Sequence, residues 1–225
     1  NATRTTLDYL AVGLPLGKFG FGFGLIPYSS VGYKIESISD SGTENNKRFN
    51  GTGGLNKAFF GVGYKIAPNF NIGADVNYNF GKIESNNLEF ITGVPVGTRE
   101  LNSADLSGVN FNLGMMYQTK IYKKISIFSS LTYSLESTLT SKNTRNISTV
   151  IYNSNFDLAV VDALDDVKTE ASLTLPSKIS LSAGIGEARK WLVGGKIAYG
   201  KTSGQANEYN DAANVGYGKY GSVSL

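Results

Sequence analysis

Positions 70–81, FNIGADVNYNFG, alternate between two chemistries without a fault. In an extended chain Phe70, Ile72, Ala74, Val76, Tyr78 and Phe80 share one face, and Asn71, Gly73, Asp75, Asn77, Asn79 and Gly81 share the other. Two environments ask for such a strand. A soluble sandwich buries the apolar face in a core and leaves the polar face in water. A transmembrane barrel turns the apolar face to lipid and the polar face to its lumen. The strand fits both, so the rest of the chain has to decide.

The pattern recurs, and helical periodicity is poor almost everywhere. Alternation predicts strands over 5–14, 19–37, 55–66, 70–83, 106–118, 125–139, 171–185, 191–201 and 215–225. Their connections are of two kinds. Those at 14–19 (LPLGKF), 67–70 (APNF), 119–124 (TKIYKK) and 186–191 (GEARKW) are short. Those at 39–54, 84–105, 140–170 and 202–214 are long and polar. The two kinds alternate strictly, which is the layout of an outer-membrane barrel with tight periplasmic turns and long external loops. A soluble sandwich has no reason to sort its loops this way.

Composition supports this reading and removes others. The 225 residues include no Cys and no His, with 27 Gly, 13 Tyr and 12 Phe and a net charge of +3. Without Cys there is no disulfide scaffold or thiolate zinc site, and without His the commonest general base is missing. The small charge, with basic residues scattered, does not call for nucleic acid. No apolar run is long enough for a membrane-spanning helix, which a barrel does not need. Aromatics gather at strand ends: Phe19, Phe70, Tyr117, Tyr122 and Trp191 stand by the short turns, as rings at a headgroup boundary would. The glycine-rich GFGFG leads into no helix, so it is no phosphate cradle. Asp162, Asp165 and Asp166 fit no EF-hand spacing and read as a solvated acidic loop, within a segment, 155–167, that suits a short helix or a strand. No catalytic residue, metal site or cofactor is expected.

The polar faces give the expected lumen: Asp75, Asn77, Asn79, Asn110, Asn112, Gln118, Ser130, Thr132, Glu136 and Lys196. The other expected site is in 19–37. Gly20, Gly22 and Gly24 share a face, and beyond Ile26 the strand meets Pro27, then Ser29 and Ser30. Proline cannot donate to a ladder, and facing glycines leave room for another backbone. The segment is either a barrel corner or rim, or a defect in the wall beside an internal plug.

Three segments resemble the long-chain fatty acid transporter (FadL/TodX) family of outer-membrane proteins, in its Bacteroidota branch. They are LAVGLPLGKFGFGFGLIPYSSVGYKIES, GGLNKAFFGVGYKIAPNFNIGADVNYNFGKIE and LPSKISLSAGIGEARKWLVGGKIAYG. The likeness covers most strands and little of the loops. It implies a fourteen-stranded barrel, an N-terminal hatch in the lumen, and a kinked third strand through which hydrophobic ligands leave sideways. With one strand missing before position 5, the 19–37 strand becomes the third and Pro27 falls at the kink. The family's asparagine-proline-alanine type segment is absent, and no ligand contact carries over.

The expectation is therefore all-β: a single transmembrane antiparallel up-and-down β-barrel domain over 1–225. It would be a fragment of about nine strands, its hatch and C-terminal strands missing. The bacterial outer membrane is its expected place. The first functional expectation is passive uptake of a hydrophobic small molecule, with a lateral exit at Gly20, Gly22, Gly24, Ile26, Pro27, Ser29 and Ser30. The alternatives are a non-transporting barrel subunit of an outer-membrane secretion or assembly complex, and a simple porin. Expected partners are outer-membrane lipid, a hydrophobic ligand and other complex subunits, with no nucleic acid.

Overall fold

The computed structural model describes residues 9–37, 45–122, 124–155, 157–187 and 190–200, and the backbone of 220–224. The expected connection 202–214, and parts of the expected strands 5–14 and 215–225, lie outside the described residues. The rest is one antiparallel sheet of twelve strands. In order they are β1 Leu10–Leu16, β2 Phe19–Ser37, β3 Asn46–Ala67, β4 Phe70–Phe90, β5 Gly97–Tyr122, β6 Ile125–Ser134, β7 Ser137–Tyr152, β8 Leu158–Ala163, β9 Val167–Leu175, β10 Lys178–Glu187, β11 Trp191–Gly200 and β12 Tyr220–Ser224. Among the described residues no helix is long and apolar enough to cross a membrane.

The tight turns fall where alternation stops. Leu16 pairs with Phe19 around Gly17-Lys18, and Gly17 takes a φ of 63°, a left-handed value suited to glycine. Ala67 pairs with Phe70 around Pro68-Asn69, Tyr122 with Ile125, and Glu187 with Trp191. Each strand then bonds to its neighbour in the chain, β1-β2-β3-β4-β5-β6, and on through β10-β11-β12. The strands β6 and β7 are successive stretches of one line, interrupted at Leu135-Glu136, because β5 pairs with β6 through its turn-side half and with β7 through its far half. Likewise β7 pairs with both β8 and β9, which lead on into β10. Along its main path the sheet is thus nine strands wide. Among the described residues β1 pairs only with β2 and β12 only with β11, so the sheet does not close.

The far halves differ from expectation. Residues 46–54, 84–90, 97–105 and most of 140–170 are strand, not loop. The 26 residues of β5 far exceed a common strand length. Alternation fails there because the outward face turns polar as well, as on β3 at Arg48, Asn50 and Thr52. The ladder hydrogen bonds continue regardless. The segment 155–167 contains β8, a strand.

The expected break in β2 is milder than a break. β2 stays paired with β3 from Phe19 to Ser37, and its register slips by one residue between Pro27 and Ser29. Tyr28 is the extra residue of this bulge, and Lys57 Nζ stands 5.5 Å from its ring centroid. A bulge removes the need for a donor at proline. The described part of β1 ends at Leu10, opposite Leu25, before Pro27 is reached.

Burial runs opposite to that of a soluble domain. The alternating apolar residues are the exposed ones: Ile72, Tyr78, Phe111, Leu113, Leu181 and Ile197. Asn77 and Asn79, on the other face, are 2% and 0% exposed. No second layer produces this, because the strands make their main contacts with ladder neighbours alone. The polar side is the face the sheet curls over. Large aromatic rings on that side lie on glycines of the adjoining strand. A Cβ on Gly24 would stand 2.8 Å from the Phe59 ring, and one on Gly184 would run into the Phe128 ring. Gly81 is closely held by backbone, for a Cβ there would collide with the Gly54 carbonyl and lie 2.9 Å from Leu55 Cα. Gly81→Ala is expected to force β3 and β4 apart and cost about 1.5 kcal/mol, read as a lowered unfolding midpoint.

Candidate functional site

Register places the inward residues in rows. One row is Gly20, Gly63, Gly73, Gly114 and Thr132; the next is Gly22, Gly61, Asp75, Asn112 and Ser134. All of these but Ser134 line a cavity of about 540 Å³, together with Phe59, Met116 and Ser130. Above it the polar side chains bond to one another. Asp75 Oδ1 accepts from Asn112 Nδ2 at 2.7 Å and from Asn77 Nδ2. Asn79 Nδ2 donates to Asn110 Oδ1 at 2.6 Å and to the Gly108 carbonyl at 3.5 Å. The Oδ1 of Asn79 is buried without a protein partner.

The structure thus gathers Asp75, Asn77 and Asn112 into one hydrogen-bonded group and Asn79 with Asn110 into a second beside it. Ser130 and Thr132 share the cavity below them but not the hydrogen bonds. Lys196 lies farther around the same face, opposite Ser182, and Gln118 lies nearer the turns, opposite Phe128. Glu136 sits in the break between β6 and β7, exposed. On β2, Gly20, Gly22, Gly24 and Ile26 are inward; after the bulge Ser29 is inward and Ser30 outward. Gly20 faces open space, whereas Gly24 is filled by the Leu10 carbonyl and Phe59. Sequence reading missed Phe59 and Phe128 as inward residues. The available signal was each phenylalanine's parity with the glycines and serines of its own strand.

The outward face carries a band of apolar side chains with defined limits. By the turns it ends in rings, where Phe19 meets Tyr64 at 4.8 Å between centroids. Toward the far end it stops at one row of alternating charge, Lys82, Asp105, Lys142 and Glu170, across β4, β5, β7 and β9. Lys82 Nζ lies 2.6 Å from Glu84. The Glu84 hydrogen bond and charge, with Asp105 adding, hold the Lys82 ammonium above its usual range. Farther out, Asn45 at 2.8 Å and Lys47 at 3.3 Å hold the Glu89 carboxyl below the usual carboxylate range.

Beyond the charge row stand the far part of β7, all of β8 and the start of β9. Val150 is fully buried there, and Leu139 is fully buried on the near side of the row. Tyr152 stacks on Phe90 at 5.1 Å and accepts from Arg48 Nη1 at 3.0 Å. Asp166 accepts from Asn146 at 2.9 Å, while Val160, Val161, Leu164 and Val167 remain exposed. Among the described residues no cluster of carboxylates could hold a metal ion.

An all-β, single-layer antiparallel sheet with a polar covered face and an exposed apolar band is the class of fold these residues define. The BamG family model matches residues 1–225, and the chain belongs to the BamG family. No curated protein and no solved structure matches it. The match over the whole chain corrects the assignment to the FadL/TodX family. That likeness lay in short alternations of glycine, aromatic and small polar residues. Such alternation follows from the strand chemistry itself and does not separate one two-faced sheet from another.

Proposed function

We propose that the protein is a non-transporting β-barrel subunit associated with the BAM outer-membrane assembly complex. Membership of the BamG family carries this reading. The hydrophobic-uptake reading rested on the FadL/TodX resemblance and has nothing left to carry it. The bulged but unbroken β2 gives uptake no further support.

The barrel part of the proposal rests on the inverted burial and on the height of the apolar band. Phe70 to Phe80 on β4 is ten steps, about 33 Å at roughly 3.3 Å each. Tilted by about 40°, as barrel strands are, that length rises about 25 Å, the height of an outer-membrane band. Asp75 and its amide partners then belong to the lumen, where hydrogen bonding makes their burial tolerable. Rings at the turn end and charges at the far end suit the two interfaces.

The docking surface we propose is the β7–β8 hairpin with its continuation into β9. It stands beyond the charge row, in water, yet exposes Val160, Val161, Leu164 and Val167. Exposed valines on a strand with an open edge are an unstable arrangement unless a partner covers them. The test is mild-detergent purification of the tagged full chain. BAM-complex subunits are expected in stoichiometric amount. The double variant Val160→Ser with Val161→Ser is expected to lower their recovery at least about tenfold, equivalent to about 1.4 kcal/mol, with heat-modifiable migration on gels unchanged. Recovery of a lone chain would refute the complex reading; unchanged recovery with the variant would refute the hairpin as its surface.

A further inference from the structure

The turn end of the sheet carries a charge that the rest of the chain does not share. Lys18, Lys65, Lys120, Lys124 and Lys190 stand at or beside the four tight turns, and all five are exposed. On the turn side of the Asp75 row, the one carboxylate among the described residues is Glu187. It lies 3.0 Å from Lys190 Nζ and is used there. Four lysines remain without a described counter-charge. The opposite end differs, since its boundary row alternates Lys82, Asp105, Lys142 and Glu170.

Backbone and side-chain bonds hold the turns in line. Lys65 N donates to the Lys18 carbonyl at 2.8 Å, and Gln118 N donates to the Asn69 carbonyl at 2.9 Å. Asn69 Nδ2 adds a bond to Thr119 Oγ1 at 3.3 Å. The lysines are therefore spaced along a rim. They do not converge on a pocket, as they would for one small anion. Immediately next to them on the strands are the exposed rings of Phe19, Tyr64, Tyr117, Tyr122 and Trp191. Lys18 and Lys124 stand in the turns themselves, and Lys65 and Lys120, opposite Asn71 and Ser126, leave the last strand residues on the polar face. The four charges therefore sit at the edge just beyond the aromatic band, at the height of a headgroup layer's phosphates.

We infer that this lysine rim binds the headgroups of anionic phospholipids in the leaflet that meets the tight turns. The inference rests on the barrel reading above. A lipid occupant is favoured over an acidic protein because the charge is spread along the edge and continues directly into the apolar band. Each lysine near an anionic surface adds attraction that salt screens.

The experiment uses the full chain folded into phosphatidylcholine vesicles containing about 30 % phosphatidylglycerol. The lipids that remain bound after gentle detergent extraction are then weighed by native mass spectrometry. Phosphatidylglycerol is expected to be enriched about threefold over its bulk share and to fall to that share at high salt. The variant with Lys18→Gln, Lys65→Gln, Lys120→Gln and Lys124→Gln is expected to lose the enrichment while folding equally well in phosphatidylcholine alone. No enrichment in the parent, or equal enrichment in the variant, overturns the inference. Loss of co-purified BAM-complex subunits by the variant with lipid enrichment intact also overturns it, assigning the rim to a protein. Failure of the parent to insert into either vesicle refutes the barrel reading instead.

Discussion

Leu113→Arg is expected to destabilise the vesicle-folded protein by about 2 to 4 kcal/mol. Leu113 lies on the outward face of β5, opposite Ala74 and Tyr133, midway up the apolar band, and is 51% exposed. In water an arginine at such a half-exposed position would change stability by only about 0.5 kcal/mol. In a bilayer the guanidinium has to reach an interface or draw water inward. The two environments therefore predict effects several-fold apart for the same substitution. Thr52→Arg is the control, because Thr52 is exposed on the same face beyond the charge row and is paired with Glu84. It is expected to stay within about 0.5 kcal/mol of the parent. Denaturant unfolding in vesicles, followed by the fluorescence of the single tryptophan, Trp191, reads both. A loss below about 1 kcal/mol for Leu113→Arg would return the sheet to a water-soluble setting.

Asp75→Ala is expected to cost about 3 kcal/mol. Its carboxylate receives the amides of both Asn77 and Asn112, and Asn77 is almost wholly buried. Truncation strips both donors of a charged acceptor where little water replaces it. Asp75→Asn keeps one acceptor oxygen in place and is expected to cost about 1 kcal/mol, since neutral bonds are roughly half as strong. The order of the two variants is as informative as their size. Equal losses would mean that the carboxylate's charge contributes nothing; a negligible loss for alanine would mean that water reaches the network freely.

Much of this arrangement is legible in the residues. The tight turns lie where alternation halts, at Gly17-Lys18 and Pro68-Asn69 among them, and the strands between them carry their apolar residues on one side and their polar residues on the other. The bonding of Asp75 with Asn112, and of Asn79 with Asn110, follows from parity and antiparallel neighbours once the turns are known. The far halves are not legible in the same way. Ser85, Asn86 and Asn87 on β4, and Asn102 and Ser103 on β5, present polar groups on both sides, so their sequence matches a loop while their backbones stay paired. The bulge at Tyr28 was visible only as an awkward proline, because whether a ladder opens or slips by one residue depends on the neighbouring strand. Family membership was the least legible, since glycine and aromatic alternation is common to two-faced strands of this kind and carries little kinship information.

The order of the ladders also says how such a chain can assemble. Each early pairing, from β1–β2 through β5–β6, joins consecutive strands across a turn or a short connection. The pairing of β5 with β7 continues the β5–β6 ladder, and the pairing of β6 with β10 brings Ser134 to Lys178 across a gap that the intervening chain shortens by itself as Ser137 meets Leu175. Loop closure then costs little at any single step, and local contacts favour fast formation. The polypeptide can zip up one hairpin after another, each new edge serving as template for the next, without a long search for remote partners.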